Sequence, residues 1–488
     1  MLEARRVRFG LLLGATYALL LVVLGYRVYE DASIPLGSVA LRQPEKLKKD
    51  FSLQGTSTER LLVNYLYAPL IGKWGLFFGL HAAFSLLLLA GLWRLAYRLI
   101  GSEGWAWIAV WTVLPGLYHH HWGSNELYYP YLTPSLPAKA AGAWVWVSLL
   151  EGRFGWAALA LAFATVIHPS VGWQTWVFSL PLVGAAQGRK RWPYALSSLF
   201  TVALTLLMFF QARPNPSQAL LWQKIFLGFR MHMHFYPEYF RPSSHGLFSF
   251  LLVSGLLLTF RRDRNLFGVF ALYAGSLLLY VANRYTVGWE PLLYSQLPRA
   301  TVWLKPLGVF VLGKWLRSKL PEWPISTRSA FLLLSLIGWG AFRLARHPEI
   351  GRDFLQVFRW RESSVWKLGL WGDEHLPLDA VVAAPPRGMS ALFALQRSAY
   401  LRIDFIGRPD PQAYRQRLLQ LYGIDPVEGA SAWRTLMTKG DSLFVERCRT
   451  LPDSLRLWGI THVVVPAWAC LPYRLLWKDE QLALYEVR

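Results

Sequence analysis

The chain has 488 residues, of which 54% are hydrophobic and only 16% charged, and its mean hydropathy is +0.28. Soluble domains carry about a quarter charged residues, so this composition excludes an ordinary soluble protein and points to a bilayer. The net charge of +22 does not point to nucleic acid, because Lys and Arg punctuate apolar runs and form no single patch. Anionic lipid headgroups or lipid-linked phosphates are the expected acidic partners.

Apolar segments recur at about 9–27, 74–97, 104–119, 138–150, 154–170, 171–187, 193–211, 246–260, 265–283, 300–316 and 328–345. Runs of roughly 17 to 25 apolar residues match a hydrocarbon layer ~30 Å thick, which predicts about eleven transmembrane helices. The 25 Trp and 22 Tyr suit the two membrane–water interfaces. The first segment runs on past Leu21 without a small-residue cleavage site, so it is expected to stay as an anchor.

Basic residues orient the chain. Arg5, Arg6 and Arg8 precede the first segment, Arg94 and Arg98 follow the second, Arg153 the fourth, and Arg189 to Arg191 the sixth. Arg261, Arg262 and Arg264 follow the eighth, while Lys314, Arg317, Lys319 and Arg328 lie between the last two. A cytoplasmic N-terminus places all these short connections on the cytoplasmic side. It also makes the long connections 28–73, 118–137, 212–245 and 284–299 external, with everything beyond about 346.

The predicted organisation is therefore a transmembrane domain over 1–345 and an extracytoplasmic α/β domain over 346–488. In the tail, Ala380–Ala384 and His462–Val465 read as short strands, and Leu482–Val487 as a last one. Asp410 before Pro411 marks a helix start, with Tyr414, Leu418 and Leu419 on one face.

Several residues stand where chemistry is expected. Glu30 and Asp31 follow the first segment, and Lys49-Asp50-Phe51 lies further along the same loop. A carboxylate at the membrane boundary can accept the proton of an attacking hydroxyl, or it can simply cap a helix end in water. Arg230, His232 and His234 form an Arg-Met-His-Met-His run in the third external loop, suited to phosphate or sugar contact. The His-X-His pair, with His119-His120-His121 nearby, leaves a divalent metal open as an alternative, although no diagnostic ligand spacing or Cys joins them. His168-Pro169 ends the fifth segment, and Arg299 enters the tenth from outside, where an Arg snorkels or meets an anion. Cys448 and Cys470, both in the tail, read as a disulfide in an oxidising exterior. No Walker loop, dinucleotide turn or Gly-X-Ser-X-Gly is present.

The stretches Gly25-Tyr26 through Asp31 with Pro35-Leu36, Lys49-Asp50-Phe51, Ile167-His168-Pro169, Phe229-Arg230 through His234, and Leu376 through Pro386 carry a resemblance. Together with the layout, the chain resembles the GT-C class of membrane glycosyltransferases, nearest to a poorly characterised bacterial branch. The resemblance implies an all-α polytopic membrane protein with a small C-terminal α/β extracytoplasmic domain, in a bacterial inner membrane. It also implies sugar transfer from a polyprenyl-phosphate carrier to an envelope acceptor, with Asp31 as catalytic acid, Glu30 beside it and Asp50 as second candidate. The chain departs from the pattern in lacking a clean Asp-X-Asp in the first loop, which argues against a metal-bound donor. The branch also admits non-catalytic members that act as scaffolds or partner subunits in an envelope assembly; a transporter is the remaining alternative.

The orientation predicts that reporter fusions at residues 190 and 350 report opposite sides of the membrane. Two signals from one side would break the topology.

Overall fold

A computed structural model describes residues 2–26, 33–53, 61–71, 73–184, 191–211, 216–320, 362–403 and 410–487, with Gly338 and Ala345. Two compact units emerge, and each draws on separate stretches of chain.

The first unit comprises 1–26, 77–208 and 233–355. Its principal helices are α1 (Leu2–Leu24), α2 (Trp74–Ile100), α3 (Glu103–Trp111), α4 (Ser135–Leu150), α5 (Phe154–Ile167), α6 (Pro169–Gly184), α7 (Trp192–Gln211), α8 (Pro242–Thr259), α9 (Arg264–Tyr285) and α10 (Thr301–Lys319). Each of the first ten apolar segments thus coincides with helix, whereas 328–345 falls almost wholly outside the described residues. Four stretches, Val7–Leu24, Gly75–Ile100, Pro242–Thr259 and Arg264–Tyr285, are long and apolar enough to cross a bilayer among the described residues. On these helices the chain is a membrane protein, but the count of about eleven spans is not established. At 1.5 Å per residue, the 14 residues of α5 and the 16 of α4 and α6 reach only about 21 to 24 Å. The third segment breaks even earlier, where α3 passes into a wide π turn around Pro115.

Burial explains the short helices. α4 is buried on nearly every face, so its apolarity answers to neighbouring helices as much as to lipid. Gly142 on α4 lets the Trp303 ring approach, and a Cβ there would stand 2.4 Å from it. The Trp303 indole N–H then donates to Thr175 Oγ1 on α6 at 3.0 Å. At one end of this unit the basic connections meet. Arg94 Nε donates to Glu151 Oε1 at 2.7 Å, Arg153 also faces Glu151, and Arg317 donates to the Ile100 carbonyl.

The second unit gathers 27–76, 209–232 and 356–488. Its sheet runs in the order β2-β1-β3-β5-β4, with β1 Val381–Ala383, β2 Ser398–Ala399, β3 His462–Pro466, β4 Arg474–Lys478 and β5 Leu482–Glu486. β2, β1 and β3 are parallel, and β5 and β4 add antiparallel. Successive side chains alternate between two cores, as the period of a strand demands. Val381, Ala383, Val463 and Val465 enter one cluster with Tyr414 and Phe444, while Val382 and Val464 enter the other with Leu368 and Leu392. Helices α11 (Ser364–His375), α12 (Pro411–Tyr422) and α13 (Ala430–Thr450) cover the faces. The expected cap is present: Asp410 accepts from the Ala413 N–H at 2.8 Å.

The tail does not build this unit alone. Phe51 from the first long loop and Trp222, Ile225 and Phe229 from the third enter the larger core. The 44–53 stretch lies along β2, with the Lys49 N–H donating to Ser398 Oγ at 3.0 Å. Asp50 anchors it. One carboxylate oxygen accepts from the Ala399 N–H at 2.9 Å and from Arg402 Nε and Nη2, each at 3.1 Å, while the other accepts from the Ser52 N–H. Both side chains of this ion pair are fully buried.

The expected disulfide is corrected. Cys448 and Cys470 are free thiols, Cys448 buried and Cys470 exposed. Cys448 points into the core from α13, and burial pushes its thiol up to about 12, so the thiolate needed for exchange is disfavoured.

Asp50→Ala should destabilise the second unit by about 3–5 kcal/mol, because Arg402 is left charged and unpaired in the interior. Asp50→Leu with Arg402→Met should recover most of that loss. Unfolding midpoints of the three proteins in one detergent, followed by proteolysis of the tail, check this. Equal midpoints for wild type and Asp50→Ala would remove the anchor role.

Candidate functional site

The strongest cluster of buried charge lies inside the first unit, on the 117–134 connection between α3 and α4. Trp122 fastens this loop to the start of α8, its ring 5.1 Å from His245 and 5.7 Å from Phe248. Gly123, at φ +65°, turns the backbone where Arg299 and the His234 carbonyl press close, and a Cβ there would stand 2.6 Å from Arg299. Asn125 Nδ2 donates to the Arg299 carbonyl at 2.9 Å.

Glu126 follows, with only 7% of its surface exposed. Lys305, on the first turns of α10, donates to Glu126 Oε2 at 3.1 Å and to the carbonyls of Leu117 and His120 at 3.0 and 2.9 Å. Lys139, on the first turns of α4, donates to the Glu126 carbonyl and lies 4.4 Å above the Tyr129 ring. Both lysines are essentially without solvent exposure. A buried ammonium is costly unless paired and hydrogen-bonded, and here backbone carbonyls, one carboxylate and one ring meet that need.

The remaining oxygen, Glu126 Oε1, accepts no hydrogen bond and faces His121 Nε2 at 3.7 Å. Burial pushes the Glu126 carboxyl up to about 7, against the pull of Lys305, Lys139 and Arg241. His121 moves the other way, down to about 4, through burial and then the nearby Lys305 and Arg241. His120 is lowered for the same reasons. The shared proton therefore belongs to Glu126, and the imidazole is neutral. The arrangement offers an oxygen able to give or take a proton near neutrality, beneath a rim of His119, His120, His121 and Arg241.

A second chain of buried contacts starts from the same loop. His81 on α2 meets the Tyr129 carbonyl through Nε2 at 3.0 Å and the Tyr17 hydroxyl through Nδ1 at 3.1 Å. Neither Glu126 nor the two lysines stands out in an external-loop reading. The available signal is that Lys139 and Lys305 are ionisable residues inside the apolar segments 138–150 and 300–316, where charge is expensive and usually has a task.

The residues expected from the sequence fall as follows. Glu30 and Asp31 lie outside the described residues, and so does their expected meeting with the Arg-Met-His-Met-His run. Asp50 belongs to the second unit and has both carboxylate oxygens engaged by the fold, which gives it a structural part. Arg230 and His232 belong to the second unit and His234 to the first. His232 is buried, with Nδ1 2.7 Å from the Phe229 carbonyl and its ring edge toward Trp433, and burial lowers its pKa. His168 ends α5, its carbonyl receiving the Val171 and Gly172 N–H groups and its ring meeting Ser170 Oγ at 3.0 Å. That makes it the joint between α5 and α6. Arg299 is the expected residue that does reach the cluster: it donates to Gln296 Oε1 at 2.6 Å, and its charge acts on Lys139. Among the described residues no group of three or more His, Cys, Asp or Glu is gathered for a metal ion.

The class defined to this point is a multi-helix membrane protein with an appended α/β unit. No family model and no curated protein matches the chain. Two cryo-EM structures of a mutant arabinofuranosyltransferase AftD from Mycobacteria are similar to it, each with a TM-score of 0.46. The identities are 13% and 15%, over 99% and 97% of this chain, which spans 41% of the length of those proteins.

The raised carboxyl has a measurable signature. Infrared titration should show a protonated carboxyl band lost with a midpoint near 7 and absent from Glu126→Gln. The folded state then holds more protons than the unfolded chain between 4.5 and about 7, so the Glu126 share of stability falls as pH rises through that window and is level above it. A band that is ionised from about pH 5 upward would overturn the assignment.

Proposed function

We propose that this chain is a GT-C-like membrane glycosyltransferase of the cell envelope, which moves a sugar from a polyprenyl-phosphate carrier to an acceptor on the outer face of the bacterial inner membrane. The N-terminus is cytoplasmic and the α/β unit external in this reading. The observation that carries it is the buried Glu126, poised to exchange a proton near neutrality beside Lys305 and Arg241. Such a site suits a reaction in which an anionic phosphate leaves while a hydroxyl loses its proton.

The step balances without an added reagent. The acceptor oxygen forms a bond to the anomeric carbon, and the bond from that carbon to the phosphate oxygen breaks. The hydroxyl proton passes to a carboxylate, for which Asp31 is the candidate, with Glu30 beside it. The departing polyprenyl phosphate keeps the bonding electrons, and Arg241 and Arg299 supply the positive field that receives it, with His119, His120 and His121 as hydrogen-bonding side chains around it. Protonated Glu126 donates a hydrogen bond to a phosphate oxygen.

A second reading has an observation of its own. Glu126 and Asp50, the two most deeply buried carboxylates named here, are both paired with cations inside the fold, as a non-catalytic scaffold would also have them. The test is turnover of a labelled polyprenyl-phosphate sugar by the protein in nanodiscs. Wild type should consume the donor, Asp31→Asn should lose at least a hundredfold, and Glu126→Gln should lose the limb of the pH profile near 7. Absence of turnover, with stable co-purification of envelope proteins, would favour the scaffold.

A further inference from the structure

A groove of about 880 Å³ opens on the surface of the first unit between α5 and α7. These helices run side by side in the same direction, tied by Ser197 Oγ donating to the Ala158 carbonyl at 2.9 Å and by Thr165 meeting Thr201 at 2.9 Å. Both therefore begin at the same end of the unit. Gly155, Ala158 and Ala162 form a shallow floor on α5, and Leu159 and Leu196, 64% and 62% exposed, form the walls. In water such walls would be a liability; in acyl chains they are at home.

The end of the groove has a sign. Arg153 lines it and is 63% exposed along its side chain. Among the described residues, Arg153 meets the Glu151 carboxylate at 3.4 Å, and Arg94 already engages it at 2.7 Å. Arg191, exposed, stands two positions before Pro193 on the opposite wall. Among the described residues named here, three arginines stand against one glutamate, a net positive balance. Trp156 and Trp192, 67% and 64% exposed, stand at the starts of these two helices, and exposed indole rings favour a membrane–water interface. Because α5 spans only about 21 Å, the mouth can lie at headgroup depth while the groove lies among the chains.

We infer that this groove is a binding site for one anionic phospholipid, with an acyl chain on the Gly155-Ala158-Ala162 floor and the phosphate at Arg153 and Arg191. The charge of the mouth selects an anionic headgroup over a zwitterionic one, and the apolar walls require a chain behind it. This site is separate from the Glu126 cluster and stands whether or not the chain transfers sugar.

Full-length protein, delipidated in detergent, is offered equal amounts of phosphatidylglycerol and phosphatidylethanolamine with the same acyl chains, and retained lipid is read by native mass spectrometry. A photoreactive side chain in place of Leu196 locates it. Wild type should retain one phosphatidylglycerol with about a tenfold preference, close to 1.4 kcal/mol, and crosslink to it. Arg153→Ala should remove the preference and keep retention, whereas Ala162→Trp, which fills the floor, should remove retention of both lipids. Unchanged thermal midpoints for the two variants show that folding is intact. Equal retention of the two lipids by wild type, or an unaltered Leu196 crosslink in Ala162→Trp, would overturn the site. Preferential capture of added polyprenyl phosphate over phosphatidylglycerol would equally overturn the phospholipid assignment.

Discussion

The cost of burying charge governs both units of this protein. An ammonium or carboxylate moved into a low-dielectric interior survives only with partners close at hand. In the first unit Lys305 gathers two backbone carbonyls and Glu126, and those carbonyls exist as acceptors because the chain leaves helical geometry after Gly116. The irregular loop from Leu117 to Pro134 is thus not a mere connection. Non-helical backbone in a membrane protein is tolerated where its polar groups find partners within protein, and the two lysines are those partners. Loop and lysines each make the other affordable.

The second unit solves the same problem with a different result. Asp50 and Arg402 are fully buried, and their ion pair is bonded on both sides to backbone near β2. Such a pair gains little net stability over a good apolar contact, yet it tolerates no change of register, since slippage would leave two charges unpaired. It therefore fixes the early loop to the sheet edge, which protects an otherwise open strand. Here both carboxylate oxygens of Asp50 are engaged. Around Glu126 one oxygen is left over, and that difference separates an anchor from a site able to move a proton.

How much of this was legible in the sequence depended on how local the cause is. The strands Val381–Ala383 and His462–Pro466 and the Asp410 cap were readable because a short run of residues carries each signal. Helix positions were readable from apolar runs, but span number was not. Hydropathy cannot tell a helix buried by other helices, as α4 is, from one bathed in lipid. The pairing of Asp50 with Arg402 joins residues about 350 positions apart, and nothing in either neighbourhood announces it. Cys448 and Cys470 invited pairing by their isolation in sequence, but one faces the core and the other solvent. Arg299 was found for the right physical reason, a cation entering an apolar segment. The same reason applied to Lys139 and Lys305 would have led to Glu126.

The Arg-Met-His-Met-His run shows why adjacency in sequence is a poor guide to a site. Alternation placed Arg230, His232 and His234 together on paper, yet Arg230 and His232 fold with the α/β unit and His234 with the helices. His232 spends its Nδ1 on the Phe229 carbonyl and its ring edge on Trp433, so its neighbours are those of a core residue. By contrast, Glu126 and Lys139, 13 positions apart, meet Lys305 from a stretch 179 positions beyond Glu126, because α4 and α10 begin at the same level as the loop. Convergence from distant stretches onto one carboxyl demands that several elements be positioned at once, and a fold bears that demand where a particular charge must be held. The weight of a functional reading drawn from the first unit therefore belongs on the Glu126 cluster.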